Sequence, residues 1–407
     1  MFALKCIGCG AELDADAKAY TCLRCGDLLE VTYDYGEIAA RLQRSDWKSR
    51  TLNVWKYAEF LPVRDRRNIV TLNEGGTKLH PCTRLSEQVG LPKLYVKNEG
   101  ENPTASFKDR GMTVGITRAV ELGAEIVACA STGNTSASLA AYAAKAGLKC
   151  LVLVPAKRIA YGKLAQAMIH GAKVLSVAGN FDEALALVRG LAERDSRVYL
   201  LNSINPYRIE GQKTLAFEVC NQLGWKIPSV IVVPVGNAGN ISAIWKGFDE
   251  FRRLGLVGET PRMIGIQATG AAPIAKAIRD NAQVIGPVKR PETVATAIRI
   301  GNPVSWKKAL HAIRASEGTT ETVNDSEILE AQRMLARREG LFVEPASASS
   351  IAGLAKLVGG RVIDRDETAV CVATGHGLKD PQTAVENVEP PIEVRADLSD
   401  IQRLVGM

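Results

Sequence analysis

The run SVIVVPVGNAGNISAIWKGFDEFRRL, residues 229 to 254, decides the fold. Its opening part, Ser229 to Val235, is a short apolar, β-branched run that reads as a strand, and Ile241 to Leu254 has helical period. Between them lies Gly236-Asn-Ala-Gly-Asn240, a glycine-rich turn leaving a strand and opening a helix. Backbone N–H groups in such a turn converge on an anion, and the helix start adds its dipole. Glycine and asparagine also serve ordinary tight turns, so both readings stand at this point.

The same alternation extends outward. Strands are expected at Lys93 to Asn98, Glu125 to Ala130, Lys149 to Pro155, Lys173 to Val177, Val198 to Leu201, Met263 to Gln267 and Thr368 to Ala373. Helices are expected at Asp109 to Leu122, Thr135 to Ala146, Tyr161 to His170, Phe181 to Asp195 and Pro206 to Leu223. Strand and helix in near-regular succession indicate an open α/β fold with mostly parallel sheets. The charged stretch from Ile38 to about Val70 reads as a linker helix, and the tail after Pro381 as a surface excursion.

At 407 residues and 46% hydrophobic, the chain is long enough for two or three domains with sizeable cores. Its 51 basic and 44 acidic residues are mixed along the sequence, and aromatics are 5%. Without a Lys/Arg block or a stacking motif, nucleic acid has little support as a partner, and anionic small molecules suit the net charge of +7 better. No apolar run approaches the roughly twenty residues of a bilayer span. A soluble, cytoplasmic protein without membrane contact is expected.

Nine cysteines, an odd number, argue against a disulfide framework. Four of them, Cys6, Cys9, Cys22 and Cys25, form two C-x2-C knuckles twelve residues apart. That spacing is the four-thiolate pattern of a zinc ribbon, so residues 1–35 read as a small structural module. A module that keeps the thiols without the metal is the alternative.

Three further motifs carry chemistry. In Asn102-Pro-Thr-Ala-Ser-Phe-Lys-Asp-Arg-Gly111, Lys108 sits where a helix begins. The helix dipole disfavours a cation there, which lowers the cost of the neutral amine that attacks an aldehyde. A lysine taken alone is more often a surface residue. The run Ser131-Thr-Gly-Asn-Thr-Ser-Ala-Ser138 follows a strand and offers hydroxyls and an amide at a helix start. One of these could be a plain cap; their density suits a phosphate or carboxylate better. Ala373-Thr-Gly-His-Gly-Leu-Lys-Asp-Pro381 ends a strand at the edge where α/β sheets bind ligands. His376 reads as a loop residue rather than a base. No HExxH, Walker lysine, GxSxG elbow or dinucleotide fingerprint is present.

With NPTASFKDRG around Lys108, STGNTSAS around Asn134, the GNAGN turn, TGHGLKDP around Thr374 and Asn73-Glu-Gly-Gly-Thr77, the chain closely resembles the threonine synthases, from about Leu72 to Asp380. That family belongs to the fold-type-II pyridoxal-phosphate enzymes, beside threonine dehydratase and cysteine synthase. The resemblance implies two open, mostly parallel sheets. It implies pyridoxal 5′-phosphate held as a Schiff base on Lys108, with Asn134 at the ring hydroxyl and Thr374 at the ring nitrogen. Gly236, Asn237, Ala238, Gly239 and Asn240 would hold the cofactor phosphate.

Asn202-Ser-Ile-Asn-Pro-Tyr-Arg208 resembles the segment that binds the phosphate of O-phosphohomoserine, through Ser203 and Arg208 chiefly. Asn202, Ser131, Thr132, Thr135 and Asn237 complete that substrate site. The family motif commonly has glycine where this chain has Ala105. The implied activity is that of a carbon–oxygen lyase acting on phosphate, forming threonine by γ-elimination and β-addition of water, in a cytoplasmic homodimer. Residues 36–110 and 211–407 would form the large cofactor-binding domain, and 111–210 a small mobile α/β domain. Cysteate synthase and a threonine-dehydratase-like lyase are the alternatives within the cofactor class. A scaffold built on a retired enzyme would require a degraded Lys108 motif or phosphate turn, and both are intact.

Overall fold

The computed structural model describes residues 2–42, 47–156 and 161–405. At the amino end, β1 (Phe2–Cys6), β2 (Glu12–Leu13) and β3 (Leu29–Tyr33) form an antiparallel ribbon with β1 in the middle. A six-stranded sheet is built from β4 (Leu79–Pro81), β5 (Lys93–Asn98), β10 (Val230–Pro234), β11 (Arg262–Ala268), β12 (Thr319–Val323) and β13 (Thr368–Ala373). Its order is β12-β11-β10-β13-β5-β4, parallel throughout except for β4 at the edge. A second sheet holds β6 (Ile126–Ala130), β7 (Lys149–Pro155), β8 (Lys173–Val177) and β9 (Val198–Leu200), all parallel in the order β8-β7-β6-β9. The fold is therefore the expected α/β arrangement of two open, mostly parallel sheets with an amino-terminal ribbon.

Most strands expected from the sequence form within a residue or so of their expected limits, because each is an apolar run short enough to be covered by helices on both faces. β10 is buried along its whole length. The strands β4 and β12 escaped notice. β12 reads Thr-Thr-Glu-Thr-Val, has only Val323 fully buried, and carries little apolar signal.

Two expectations are corrected. No linker helix spans Ile38 to Val70: a helix at Tyr35–Arg41 is capped by Asp34 and ends at Leu42, and among the described residues only the helical pair Trp47 and Lys48 and 3-10 turns at Val54–Phe60 and Arg66–Asn68 follow. Residues 43–46 of that expectation lie outside the described residues. The reason is tertiary. Trp47, Tyr57 and Phe60 are drawn into one aromatic core with Phe217, Trp225 and Phe251, where Trp47 stacks on Trp225 at 5.9 Å and Phe217 on Phe251 at 4.1 Å. Burying such rings outweighs a weak local preference for helix. The run Pro206 to Leu223 also divides, into helices Pro206–Gln212 and Thr214–Gln222, with Lys213 at the break reaching Glu210 and Glu250.

A close crossing of two helices joins distant parts of the chain. The helices Lys108–Glu121 and Pro206–Gln212 meet backbone to backbone through three glycines. A Cβ on Gly211 would lie 1.8 Å from the Arg110 carbonyl oxygen, and one on Gly111 would lie 2.6 Å from that of Arg208. On Gly115 it would press on Leu201 and on the Arg208 side chain. Only glycine permits this approach, and it brings Lys108 and Arg208, a hundred residues apart, into one site.

Candidate active site

Four loops leave the carboxyl ends of parallel strands on the side of Lys108. β5, β13 and β10 are neighbours, so the loops that follow them emerge side by side. The Phe107 N–H donates to the Thr374 carbonyl at 3.0 Å, and Ser106 bridges to Gly375. From the second sheet, the loop after β6 opens the helix Asn134–Ala146. Asp109 ties the two sides together: it accepts from the Thr104 N–H and hydroxyl at 2.6 Å each and from Ser138 Oγ at 2.5 Å. Burial pushes its carboxyl up to about 6, against those bonds.

Lys108 is the first residue of its helix, with no side-chain cap before it. Its ammonium lies 4.3 Å from the centre of the Phe107 ring. Burial of the amine, reinforced by the nearby Arg208 charge and opposed by Glu344, brings its pKa down to about 7. The lysine singled out by position in the sequence therefore has neutral amine available near neutral pH.

Glu344 is the residue that sequence reasoning missed. It precedes Pro345 at the start of the small-residue helix Pro345–Gly359 and is buried. Asn134 Nδ2 donates to its two oxygens at 3.2 and 3.1 Å, and Thr374 Oγ1 donates to Oε1 at 3.4 Å. It thus joins the two side chains that the sequence had marked separately, one from each sheet. Burial pushes its carboxyl above the usual range, with Asn134, Lys379 and Lys108 pulling the other way. The available signal was an acid directly ahead of a Pro at the start of a helix with no polar face.

The turn after β10 leaves buried polar groups open. Ala238 adopts a left-handed φ of 66°, and the helix Gly239–Arg253 starts without a side-chain cap. The Asn240 amide is buried, and neither its nitrogen nor its oxygen has a partner among the described residues. Gly236 packs against the Ala297 carbonyl, where a Cβ would come within 3.0 Å. Asn237 is more occupied: its backbone and side-chain oxygens accept from Ser305 and Val304.

Arg208 is fully buried. Nη1 donates to the Leu201 carbonyl at 3.1 Å, while Nε and Nη2 have no partner among the described residues. Burial brings its pKa down to about 10, so it stays cationic at neutral pH. A buried guanidinium with two open donors is a receptor for an oxyanion. Ser203, Ser131 and Thr132 are half-buried in the flanking loops, and Thr135 is half-buried in the first turn of the helix Asn134–Ala146. Asn202 is committed elsewhere: its amide bonds both backbone groups of Ala130, at 3.0 and 2.9 Å, and so fixes the end of β6 beside the Arg208 segment. His376 caps a 3-10 turn, accepts from the Leu378 N–H and packs edge-on against Phe342. It is a structural loop residue.

Ala105 explains its own departure from the family motif. Its φ is 64°, with its N–H on Asn102 at 2.7 Å and its carbonyl accepting from His376 at 3.0 Å. A left-handed alanine costs about 1–2 kcal/mol, part of which glycine would return as unfolded-chain entropy. Ala105→Gly is expected to stabilise the protein by about 0.5–1 kcal/mol in equilibrium denaturation; destabilisation would contradict this account of the turn.

The four amino-terminal cysteines converge as their spacing required. Their sulfur atoms all lie within 4.8 Å of one another, with Cys6 to Cys25 at 3.4 Å and Cys9 to Cys22 at 3.6 Å. Four thiolates about 2.3 Å from a central zinc would stand about 3.8 Å apart. The Gly8 and Cys9 N–H groups point at Cys6 Sγ, and the Arg24 N–H at Cys22 Sγ. The Arg24 and Cys25 N–H groups bring the Cys22 thiol down to about 7.

Comparison with known proteins gives the family and the fold. Residues 70–375 match the family described as pyridoxal-phosphate dependent enzyme. The chain is 59% identical to the threonine synthase of Methanocaldococcus jannaschii over 98% of each chain. It is 59% identical to that of Methanosarcina acetivorans over all of this chain and 99% of the relative. Among solved structures it is similar in fold to the processed form of threonine deaminase isoform 2 from Solanum lycopersicum, with a TM-score of 0.67, 20% identity, and coverage of 88% of this chain and 94% of that one.

Proposed function

The chain belongs to the pyridoxal-phosphate dependent enzymes and, within them, to the threonine synthases, and on that premise we propose that it converts O-phospho-L-homoserine and water to L-threonine and phosphate. The observation that carries the choice of substrate is Arg208: a buried guanidinium with two open donors beside a lysine of lowered pKa.

The residues present fit the cofactor. The orphaned Asn240 amide and the uncapped helix start at Gly239 suit its phosphate, with Gly236, Asn237 and Ala238 lining the turn. Asn134 and Thr374, both bonded to Glu344, would hold the ring, and Lys108 offers an amine for its aldehyde. When bound, the cofactor supplies an electron sink for a carbanion at the substrate α-carbon.

The chain's own residues do the rest. Lys108 Nζ takes the proton from the α-carbon and must hand it on before it can take one from the β-carbon, a shuttle for which a pKa near 7 is matched to neutral pH. Arg208, through charge-assisted contacts, and Ser203 hold the γ-phosphate, assisted by Ser131, Thr132, Thr135 and Asn237. Such contacts contribute roughly 1.5–3 kcal/mol each, enough together to separate the phosphorylated substrate from free homoserine. Closure of the lobe 111–210 would keep water out until the phosphate has gone.

Cys6, Cys9, Cys22 and Cys25 would hold a structural zinc ion, since four protein thiolates leave no open coordination position. A homodimer in the cytoplasm completes the reading. Among the described residues, no helix is long and apolar enough to cross a membrane. The deciding experiment supplies the purified protein and pyridoxal phosphate with O-phosphohomoserine. Equal amounts of threonine and phosphate are expected. Turnover of O-phosphoserine with sulfite instead would point to cysteate synthase, and deamination of threonine alone to the dehydratase.

A further inference from the structure

We propose that the metal-loaded amino-terminal ribbon is the element that positions Arg208, so that loss of the metal weakens recognition of the substrate phosphate while leaving the cofactor site intact. This rests on zinc being held by the four cysteines and on the substrate phosphate being held by Arg208. Its premise is that Arg208 cannot aim itself. Among the described residues its side chain has one bond, to Leu201, and two open donors, so its direction depends on the helix Pro206–Gln212 that carries it and on the turn before that helix.

The ribbon grips both. In the loop after β2, the Ala15 carbonyl accepts from the Tyr207 hydroxyl and, at 2.9 Å, from Arg118 Nη2, whose partner Asp16 lies in the same loop. One helical turn from Tyr207, Glu210 accepts from the Tyr33 hydroxyl of the ribbon at 2.7 Å. Lys246 then links the Glu210 carboxylate to the Val31 carbonyl of β3, at 2.6 Å each. Ahead of the helix, the Leu200 N–H donates to Tyr20 Oη at 2.8 Å, immediately before the Leu201 carbonyl that holds Arg208. Residues 207 and 210 are thus tied to the ribbon on either side of Arg208, and among the described residues no hydrogen bond of the ribbon reaches Arg208 itself.

The metal enters through the loop between the knuckles, which the short strands do not fix. Three strands of two to five residues bury too little to fold alone, so in a module of this size metal binding is folding free energy. The cysteine knuckles bracket the gripping loop: Cys6 and Cys9 precede Ala15, and Cys22 and Cys25 follow Tyr20. Buried Cys6 and Cys22 also share one apolar cluster with Tyr20, Tyr199, Leu201 and Tyr207. Releasing the knuckles loosens Ala15 and Tyr20, and the helix loses two of its supports.

The test uses the full-length holoenzyme in three forms: wild type, the double variant Cys9→Ser with Cys25→Ser at the two exposed ligands, and Tyr33→Phe, which keeps all four thiols. Zinc content, KM for O-phosphohomoserine, the inhibition constant of inorganic phosphate, kcat and the visible cofactor band are read on each. For the metal-free variant, KM and the phosphate inhibition constant are expected to rise together by about tenfold or more, the scale of a lost charge-assisted contact, with kcat and the cofactor band nearly unchanged. Tyr33→Phe should keep its zinc and move the same two constants by about threefold, as one hydroxyl bond is lost. Metal loss without change in either constant overturns the proposal. So does a fall in kcat and loss of the cofactor band in step with KM, which would mark general unfolding. Wild-type protein without zinc would sink the metal reading itself, and an unmoved Tyr33→Phe would then remove the clamp as well.

Discussion

Lys108→Ala is expected to lower the rate of threonine formation by roughly a hundred- to ten-thousandfold, the range for removal of a positioned acid–base group, with loss of the visible cofactor band as a second effect. Both follow from one side chain. Lys108 provides the amine at the first turn of its helix, beside the loops from β5 and β13. Lys108→Arg should fail as completely, because a guanidinium stays protonated and has no free lone pair for an aldehyde or a proton. The lowered pKa makes the test quantitative. A lysine must be neutral to react, and burial beside Arg208 brings this one from the ordinary 10.5 to about 7. Uptake of pyridoxal phosphate by the apoprotein should therefore rise with pH and reach half its maximal rate near pH 7. A midpoint well above that, toward the ordinary lysine range, would show that Arg208 and burial do not set the amine.

Arg110→Met is expected to cost about 3–5 kcal/mol of stability, the penalty for leaving a buried charge unpaired. Arg110 is wholly buried and is clamped by two carboxylates, donating to Glu99 at 2.6 and 2.8 Å and to Glu218 at the same two distances. Lys97 supplies the second cation, at 2.7 Å from Glu218, so two positive charges face two negative ones. Burial alone would push Glu218 up; Arg110 first and Lys97 next hold it down to about 2. A carboxyl with a depressed folded pKa contributes stability above its unfolded value of 4.5, and that contribution is lost only as pH falls toward 2. Removing Arg110 leaves Lys97 between two carboxylates, one of which must take a proton or stay unpaired. The deficit against wild type should accordingly be larger near pH 8 than near pH 5, as read by denaturant unfolding of the holoenzyme. An equal deficit at both pH values would mean that lost packing, rather than stranded charge, is responsible. Because Arg110 follows Lys108 by two residues, the same network holds the catalytic helix in register.

The sequence was informative where chemistry and structure are written into neighbouring residues. A β-branched run followed by Gly236 to Asn240 and a helical period specifies strand, turn and helix within 26 residues. The two C-x2-C knuckles likewise foretold four converging sulfurs, because the spacing within each knuckle brings its pair together. Asn134, Thr374 and Arg208 were singled out from their loops, and in the structure Asn134 and Thr374 meet on Glu344 while Arg208 keeps two open donors. The linker helix failed for the opposite reason: Trp47, Tyr57 and Phe60 answer to Phe217 and Phe251 far along the chain rather than to their own neighbours.

By itself, then, the sequence determined the open α/β class, the loops that leave its strands, the cysteine module and the lysine at a helix start. Only the tertiary structure decided which groups meet. It crossed two helices at Gly111 and Gly211 to set Arg208 beside Lys108, and it brought Glu344 to Asn134 across 210 residues. It also left Arg208 with open donors while tying Asn202 to Ala130. The physical reason is that burial and charge act through space: the neutral fraction of Lys108 depends on Arg208 and Glu344, neither of which is near it in the chain.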